Sequence, residues 1–333
     1  MKQVLKTLWR NTRRWLPGAI ISIVALIAVF RLARWDDLVV AFTTLQPVNF
    51  GIAILITLVS IWTRAMAWRV LLEYKTTVQK SFFIICEGYF LNNILPLRAG
   101  EFARAIFMGQ ATGLGPFHVF STIVLERAFD LAMAAGLLLA TLPMAFNLSW
   151  ARPVAITTML LVILGLATLY IIARNRLKVR NWILTLGKKS PFVQKWIVPQ
   201  IDALLEGLGA LTNPGQFLLS VFWIAMSWVL WVTMYYIMLL PLYPHMPYYM
   251  AMFTTGVLAM GIAIPAAPGG LGVYEASVVG ALAIFGIKPA MSLAYALLMH
   301  FMNFVITGIL GFIELLRSRA SISQIFDGIQ NPK

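Results

Sequence analysis

Long apolar runs separated by short polar segments dominate this 333-residue chain. A helix needs about 20 apolar residues to cross the hydrocarbon core of a bilayer, and the runs have that order of length. They predict an all-α integral membrane protein with six transmembrane helices, at about residues 17–32, 48–72, 117–145, 153–173, 216–240 and 289–316. Two further apolar runs are interrupted by Pro and Gly and predict a different structure.

The first interrupted run covers residues 81–110 and breaks at Pro96 and Gly100. As a helix, its first arm at 81–95 would be about 22 Å long, shorter than the hydrocarbon core of about 30 Å. Two short arms around a break predict a re-entrant hairpin, which enters and leaves on one side of the membrane. Two ordinary spans joined by a tight loop are the alternative interpretation.

The second interrupted run, at 246–287, breaks in the same manner. The order span, broken hairpin, span therefore occurs twice, at 48–145 and at 216–316, and the two sets start on opposite sides of the membrane. Paired interrupted segments of opposite topology are typical of transporters with inverted repeats and a midplane binding site. We predict that the hairpins hinge at Pro96, Gly100, Pro268, Gly269, Gly270 and Gly272.

These elements predict one membrane domain over residues 1–333, with a first half at about 17–173 and a second half at about 216–316. The segment between them, 174–215, is the most basic part of the chain. Apolar residues recur in it at helical spacing, which is typical of an amphipathic helix on a membrane surface. A plain linker is the alternative. The recurring residues are Ile197, Ile201, Leu204, Leu208 and Leu211.

Composition and charge indicate which segments of the chain lie on the cytoplasmic side of the membrane. Hydrophobic residues make up 60% of it and charged residues 11%, which excludes a soluble domain. The formal net charge is +14, from 26 basic and 12 acidic residues. Because the bases lie between apolar spans, they favour a positive-inside topology over nucleic-acid binding. We predict a plasma-membrane protein with an uncleaved first helix and with both termini in the cytoplasm.

Residues that carry enzymatic or metal chemistry are sparse in the sequence. Cys86 is the single cysteine, and His118, His245 and His300 form no ligand-spaced pair. The sequence has no zinc motif, phosphate-binding loop, dinucleotide fingerprint or nucleophile elbow. We therefore expect no catalytic residue, no metal and no cofactor.

Ionisable residues inside the apolar runs are a stronger functional signal. Each unpaired charge near the middle of a bilayer costs at least about 2.5–3.5 kcal/mol on insertion scales. Such residues need partners, a function, or both, so we predict an intramembrane charge network. Its members are Arg64, Arg69, Glu87, Glu126, Arg127 and Asp130. A static ion-pair lock among Arg64, Glu126, Arg127 and Asp130 is the alternative to a transport role.

The first hairpin also predicts a binding site for a phosphate group. Arg98 and Arg104 lie at its tip and second arm, and arginine binds phosphate oxygens with a forked set of donors. The helix that starts near Glu101 presents amide groups that favour anions. Glu101 and Glu275 are expected to bind a cationic headgroup, carry a coupling proton, or cap their helices. The predicted substrate-binding residues are Asn92, Asn93, Arg98, Glu101, Arg104 and Glu275.

Four motifs follow one another in the order Arg64-x3-Trp68-Arg69, Gly88-x3-Asn92-Asn93-x2-Pro96-x-Arg98-x-Gly100-Glu101-x2-Arg104, Glu126-Arg127-x2-Asp130 and Pro268-Gly269-Gly270-x-Gly272-x2-Glu275. Together they resemble the flippase-like family, the membrane domain of lysylphosphatidylglycerol synthases, which also occurs as stand-alone proteins. The resemblance implies a protein that moves, or helps to move, a lipid between the leaflets of the plasma membrane. Because the chain ends soon after its last predicted span, we expect the stand-alone form without the soluble synthase domain.

Three functions fit these observations. The first is a flippase for an anionic phospholipid or a lipid-linked saccharide, with the headgroup phosphate bound by hairpin arginines. The second is a membrane glycosyltransferase or other lipid-modifying enzyme that uses a lipid-phosphate donor. The third is a non-transporting scaffold subunit. Transport is favoured, with membrane lipids as partners and no nucleic acid. A homo-oligomer or a separately encoded lipid-modifying enzyme is a further partner to consider.

The predicted topology is testable by cysteine accessibility. We expect residues 174–215 in the cytoplasm and the loop around Pro244 outside, because basic residues are enriched in alternate loops. A cysteine at Lys188 should react from the cytoplasmic side, and one at His245 from the external side. Labelling of both positions from the same side would contradict the scheme.

Overall fold

The computed structural model describes residues 47–95, 98–145, 151–187, 198–263 and 267–317, together with Ile27, Asp36, Val39, Thr43 and Thr44. This part of the chain is almost entirely helical and contains no strand, which confirms the predicted all-α class. From residue 47 onwards its α-helices are α1 (Pro47–Leu71), α2 (Val78–Ile94), α3 (Ala99–Thr112), α4 (Pro116–Ala145), α5 (Ala151–Arg174), α6 (Arg176–Gly187), α7 (Val198–Gly207), α8 (Pro214–Leu239), α9 (Tyr248–Ala263), α10 (Val273–Ala283) and α11 (Pro289–Arg317). Short 3-10 helices lie at Gly209–Thr212 and Pro268–Gly270.

Four described helices, α1, α4, α8 and α11, are long and apolar enough to cross a membrane. They correspond to four of the six predicted spans, and the chain is therefore a multi-pass membrane protein. A fifth crossing is reached if Met159–Arg174 and Arg176–Trp182, which meet at a bend of 83°, count as one span. The predicted span at 17–32 falls almost wholly outside the described residues. The described part of the chain thus contains four or five candidate spans, and the count of six is not confirmed.

The first interrupted run forms α2 and α3, which fold back on each other. Their 17 and 14 residues give helices of about 25 Å and 21 Å, too short to cross the hydrocarbon core. Their outer ends meet, since Lys80 Nζ donates a hydrogen bond to the carbonyl of Ala111 at 3.3 Å. The pair is slightly longer than the predicted 81–110, because Thr77 caps α2 at one end and the left-handed Gly113 ends α3 at the other.

The second interrupted run forms α9 and α10, helices of 16 and 11 residues. Their outer ends also meet, because the ring of Phe285 contacts the rings of Tyr249 and Phe253, with centroids 6.0 and 5.5 Å apart. Part of the break between them, residues 264–266, lies outside the described residues. The fold therefore contains two short helix pairs, each broken by Gly and Pro.

The packing of helices repeats between the two halves of the chain. In the first half α2 packs against α3, and α3 against α4; in the second half α9 packs against α10, and α10 against α11. Across the halves α2 packs against α11, and α9 packs against α4 in the same way. The helix α1 packs along α8, its counterpart. Ser60 and Ser227, at matching positions of these two helices, share a hydrogen bond of 3.1 Å between their hydroxyl oxygens.

Close helix contacts at a glycine repeat in the same pattern. Gly311 of α11 lies against the carbonyl of Cys86 in α2. Its counterpart contact joins Leu138 of α4 to Gly256 of α9, at the same positions along those helices. Buried apolar side chains form two clusters, one drawn mainly from the first half and one mainly from the second. The cavity described below lies where the two halves meet.

The described part of the basic segment 174–215 contains two α-helices, α6 and α7, where one amphipathic helix or a plain linker was predicted. Arg180 of α6 and Asp202 of α7 form an ion pair of 2.7 Å that joins them. Helix α7 packs against α4, and the predicted apolar residues Leu208 and Leu211 are buried. The apolar face of this segment is therefore covered by α4 and its neighbours, at least from residue 198 onwards.

The crossing of α2 and α3 depends on two glycines and gives a test of the fold. A Cβ atom at Gly100 would overlap the carbonyl oxygen of Gly88. We expect Gly100→Ala to lower the free energy of unfolding by about 1–3 kcal/mol, the usual cost of overpacking a tight contact. Thermal unfolding of the purified protein measures this.

Gly280→Ala is the matched control, because Gly280 lies inside α10 with no other atom within 4 Å of an added Cβ. It should be neutral or slightly stabilising, since alanine favours helix more than glycine does. Equal loss of stability in both variants would contradict the tight crossing.

Candidate functional site

A cavity of about 420 Å³ lies between the two halves, where helices of both break. Its wall contains residues of α1 to α4 and of α8 to α11, with Arg98 and Gly269 from the two breaks. Most lining residues are apolar or aromatic. The arginine and carboxylate side chains on the wall all come from the first half: Arg64, Arg98, Glu101, Arg127 and Asp130.

Six charged side chains from α1, α3 and α4 form one ion-pair cluster at this wall. Its members are Arg64, Glu101, Arg104, Glu126, Arg127 and Asp130. Glu126, only 1% exposed, is at the centre. Its carboxylate accepts hydrogen bonds from Arg64 at 2.6 Å, from Arg104 at 2.8 Å and from Arg127 at 2.8 Å. One buried carboxylate therefore holds three helices together.

Asp130 connects this cluster to the second half. Arg64 donates to both of its carboxylate oxygens, at 2.9 and 2.7 Å. The indole N–H of Trp228, from α8, donates to Asp130 Oδ1 at 2.9 Å. The cluster contains three arginines and three carboxylates, so its charges cancel. The ion-pair lock expected among Arg64, Glu126, Arg127 and Asp130 thus extends to Glu101 and Arg104.

Arg104 lies behind the cavity wall, which differs from its predicted role in phosphate binding. Its side chain is fully buried, and its guanidinium stacks on the ring of Trp68 at 4.3 Å. It donates to Glu101 at 3.1 Å as well as to Glu126. Because its charge is neutralised and enclosed, the structure assigns Arg104 to support of the wall. From the sequence alone, the role of Arg104 could not be distinguished from that of Arg98, since both residues follow the same break.

Arg98 has the opposite surroundings. It lines the cavity and is exposed, and no hydrogen bond or ion pair reaches its guanidinium from the described residues. Its backbone is left-handed, with φ of 55° and ψ of 39°, directly before α3. A non-glycine residue in this region carries a strain of about 1 kcal/mol or more, which is common at functional sites. Arg98 therefore presents a positive charge to the cavity.

Two asparagines hold the first break in place and also line the cavity. Asn92 Oδ1 accepts a hydrogen bond of 2.8 Å from the amide of Gly100, which closes the break. Asn93 Nδ2 donates to the hydroxyl of Thr307 in α11 at 3.2 Å, which joins the halves. Gly269, at the second break, lies close to the backbone of Asn93. The tips of the two helix pairs therefore meet at the cavity.

Glu275 caps α10 and binds a histidine that sequence analysis did not connect to it. Its Oε2 accepts from the amide of Gly272 at 2.7 Å. Its Oε1 lies 2.7 Å from Nδ1 of His300, and Nε2 of the same ring lies 2.9 Å from the carbonyl oxygen of Gly269. The ring of Tyr274 stacks on His300, with centroids 4.1 Å apart. His300 stands in an apolar helix far along the chain, so spacing alone gave no signal.

Other predicted site residues lie apart from the cavity or outside the described chain. Arg69 donates to the carbonyl of Thr76 and is not in the cluster. Glu87 is buried, and its Oε1 has no hydrogen-bond partner among the described residues. Pro96 lies outside the described residues. Among the hinge glycines, Gly100 is helical, whereas the others have positive φ: Gly269, Gly270 and Gly272.

The wall offers hydrogen-bond donors and one unneutralised cation rather than ligands for a metal ion. Among the described residues, no three His, Cys, Asp or Glu side chains are grouped so that they could hold a metal. Aromatic residues complete the wall, including Tyr89, Trp228 and Trp231. This set of groups suits an anionic ligand with a polar headgroup.

The cluster predicts a large effect for the loss of its central carboxylate. Glu126→Gln leaves three guanidinium groups, two of them buried, with one fewer counter-charge, so we expect the free energy of unfolding to fall by about 3–5 kcal/mol. Thermal unfolding in detergent measures the effect. Asp202→Asn is the control, because its ion pair with Arg180 is partly exposed and such pairs contribute about 0–1 kcal/mol. Equal losses in the two variants would contradict a structural cluster.

Comparison with known proteins supplies the family. The family model described as lysylphosphatidylglycerol synthase TM region matches residues 15–311. A UPF0104 membrane protein of Methanocaldococcus jannaschii is 20% identical over 331 residues, covering 92% of this chain and 95% of that protein. A UPF0104 membrane protein of Methanothermobacter thermautotrophicus is 24% identical over 297 residues, covering 84% and 86%. The chain belongs to the family of the lysylphosphatidylglycerol synthase transmembrane region.

Proposed function

We propose that this protein moves an anionic lipid, a phospholipid or a lipid-linked saccharide, between the leaflets of the plasma membrane. The observation that carries the proposal is the charge of the cavity wall. The six-residue cluster is internally neutral, and Arg98 leaves one positive charge facing the cavity. A phosphate group matches the forked donors of arginine, so the headgroup phosphate binds at Arg98.

The size and lining of the cavity support a lipid headgroup as the ligand. A volume of about 420 Å³ is within the range of small-molecule sites. Charges and asparagine amides on the wall replace the water around a headgroup, and the aromatic side chains accept its apolar neighbours. The acyl chains need no shielding, because the surrounding bilayer is apolar. The protein has only to carry the polar part across.

The repeated helix contacts support transport by alternating access. In this proposal the two halves are inverted repeats, and α2–α3 and α9–α10 are re-entrant hairpins that approach the cavity from opposite sides. Short helices and non-helical backbone are stable at membrane depth only against protein or a water-filled cavity, and both breaks face this cavity. Rocking of one half against the other then exposes Arg98 to each leaflet in turn.

The family and the charge distribution support the remaining parts of the proposal. The family model takes its name from a synthase of lysylphosphatidylglycerol, which is a phospholipid. The excess of basic residues favours a plasma-membrane protein with cytoplasmic termini. Transport is favoured over chemistry on a lipid phosphate, because Glu101 and Asp130, the carboxylates on the described wall, are already paired with arginines. A general base needs a free side chain that reaches its substrate, and His300, which also lines the wall, is engaged by Glu275 and Gly269.

Reconstituted protein provides the test. Vesicles of phosphatidylcholine that contain a trace of fluorescent phosphatidylglycerol should show protein-dependent movement of the label, measured by dithionite quenching. Arg98→Ala should slow this movement about tenfold or more, the factor that one charge-assisted hydrogen bond is worth. Arg98→Lys should restore it in part, because the charge returns without the fork.

Arg174→Ala is the matched control, because Arg174 is exposed at the end of α5 and away from the cavity. Its rate should equal that of the unaltered protein. A fluorescent phosphatidylcholine should move more slowly than the anionic lipid. Full activity of a folded Arg98→Ala protein would overturn the assignment of the phosphate site.

A further inference from the structure

The tip of the second helix pair is tied to α11 by one histidine. His300 Nε2 contacts the carbonyl oxygen of Gly269 at 2.9 Å, and Nδ1 contacts Glu275 Oε1 at 2.7 Å. The backbone of this tip has positive φ at three glycines, Gly269, Gly270 and Gly272. The amide of Gly272 also donates to Glu275, and the amide of Gly270 donates to the carbonyl oxygen of Ala267.

The chemistry of these two contacts requires one exchangeable proton. A carbonyl oxygen only accepts hydrogen bonds, and so does a carboxylate. A neutral imidazole has a single N–H and can satisfy one of the two partners. Both bonds form together only if the pair holds an extra proton, either on the ring or on the carboxyl group. The Glu275–His300 pair is then neutral as a unit. When that proton leaves, the pair carries one negative charge and one of the two bonds is lost.

The first half contains the same arrangement with a group that does not titrate. Glu101 and Glu275 stand at the same position along α3 and α10, and Arg127 and His300 at the same position along α4 and α11. Glu101 lies 3.8 Å from Arg127, as Glu275 lies beside His300. Arginine keeps its charge at any physiological pH, whereas histidine exchanges its proton within that range. Only the second half therefore has a pair that can release its tip.

The Glu275–His300 pair is buried, and it reaches water through the cavity. Glu275 is 1% exposed and His300 is 9% exposed, on the cavity wall. Besides the pair itself, the titratable and charged groups on α11 and on the helices that pack against it are Arg64 and Arg69 of α1, Lys80, Cys86, Glu87 and Tyr89 of α2, Tyr235 and Tyr236 of α8, Tyr274 of α10, and Tyr295, Glu314 and Arg317 of α11. Arg98 faces the same cavity from the break before α3. No other described carboxylate contacts His300.

We infer that the Glu275–His300 pair is a proton-binding site that couples proton movement to lipid movement. The inference rests on the proposed function and deepens it. With the proton bound, the tip is tied and Arg98 gives the cavity a net positive charge, which matches a monoanionic phosphodiester headgroup. With the proton lost, the pair cancels the charge of Arg98 and frees the tip. Headgroup and proton are therefore bound together, one for one.

This coupling has an electrical consequence. One proton and one monoanionic headgroup carry no net charge, so their joint passage is insensitive to membrane potential. A pH gradient, in contrast, drives the lipid in the direction of proton flow. A carrier of the anion alone would respond to the potential, because it moves a net charge across the membrane field. The two driving forces can be imposed separately on vesicles.

The first experiment measures the tip without any lipid transport. Leu271, 48% exposed between Gly270 and Gly272, is replaced by cysteine, while Cys86 stays buried and unreactive. The rate of labelling by a water-soluble maleimide is divided by that of Lys288→Cys, an exposed control that corrects for thiol ionisation. We expect this ratio to rise about tenfold from about pH 5 to about pH 8, as one charge-assisted bond is lost.

Variants of His300 decide whether this residue is responsible. His300→Arg introduces the residue that Arg127 supplies in the first half. Because arginine stays charged, this variant should keep the labelling ratio low at every pH. His300→Gln, which cannot take up a proton in this pH range, should keep it high at every pH. His245→Gln, in an exposed loop, should leave the rise unchanged. A ratio that does not change with pH in the unaltered protein, or one that still changes in a folded His300→Arg or His300→Gln protein, would overturn the inference.

The second experiment separates the coupling from the transport itself. Vesicles with fluorescent phosphatidylglycerol receive either a pH gradient or a potassium diffusion potential. The pH gradient should accelerate lipid movement in one direction, the potential should not, and His300→Arg should abolish the response to the gradient. Movement that ignores the pH gradient would overturn the coupling and leave the proposed function intact. If no lipid moves under any condition, the proposed function is overturned. The labelling ratio then still tests the proton site, because it does not depend on transport.

Discussion

Charge that is buried in a membrane protein must be paired, and this constraint organises the first half of the molecule. The carboxylate of Glu126 accepts hydrogen bonds from three arginines, which lie on three different helices. An unpaired charge at this depth costs several kcal/mol, so the cluster fixes the relative positions of α1, α3 and α4. Because these charges cancel one another, none is available to a ligand. Among the described wall residues, the positive charge that remains without an ion-pair partner belongs to Arg98, which the strained backbone before α3 presents to the cavity.

The two halves repeat the same contacts with different chemistry. At equivalent positions the first half has Arg127 opposite Glu101, and the second half has His300 opposite Glu275. The first pair is part of a six-residue cluster, whereas the second pair stands alone and holds a glycine-rich tip. This difference suits a molecule in which one half is a rigid support and the other half moves. Trp228 and the Ser60–Ser227 contact join the two at their interface.

Much of the fold follows from local sequence, because apolar length and Pro/Gly breaks act within a few residues. The four long helices and the two broken pairs are of this kind. The site depends on contacts between distant residues, and these were harder to predict. The pairing of Glu275 with His300 joins two helices that spacing does not relate. Arg104 and Arg98 look alike in sequence, yet only packing on Trp68 decides which of them is buried. The contact of Trp228 with Asp130 likewise crosses the halves.

The central claim is that a lipid headgroup binds at Arg98 in the cavity between the halves. Electron cryomicroscopy of the protein in phosphatidylglycerol nanodiscs, enlarged by a bound antibody fragment, tests it most directly. The account predicts density for a phosphate group within hydrogen-bond distance of the Arg98 guanidinium, with the acyl chains extending into the surrounding lipid. A cavity that contains only water or only acyl chain, with every headgroup outside, would contradict it.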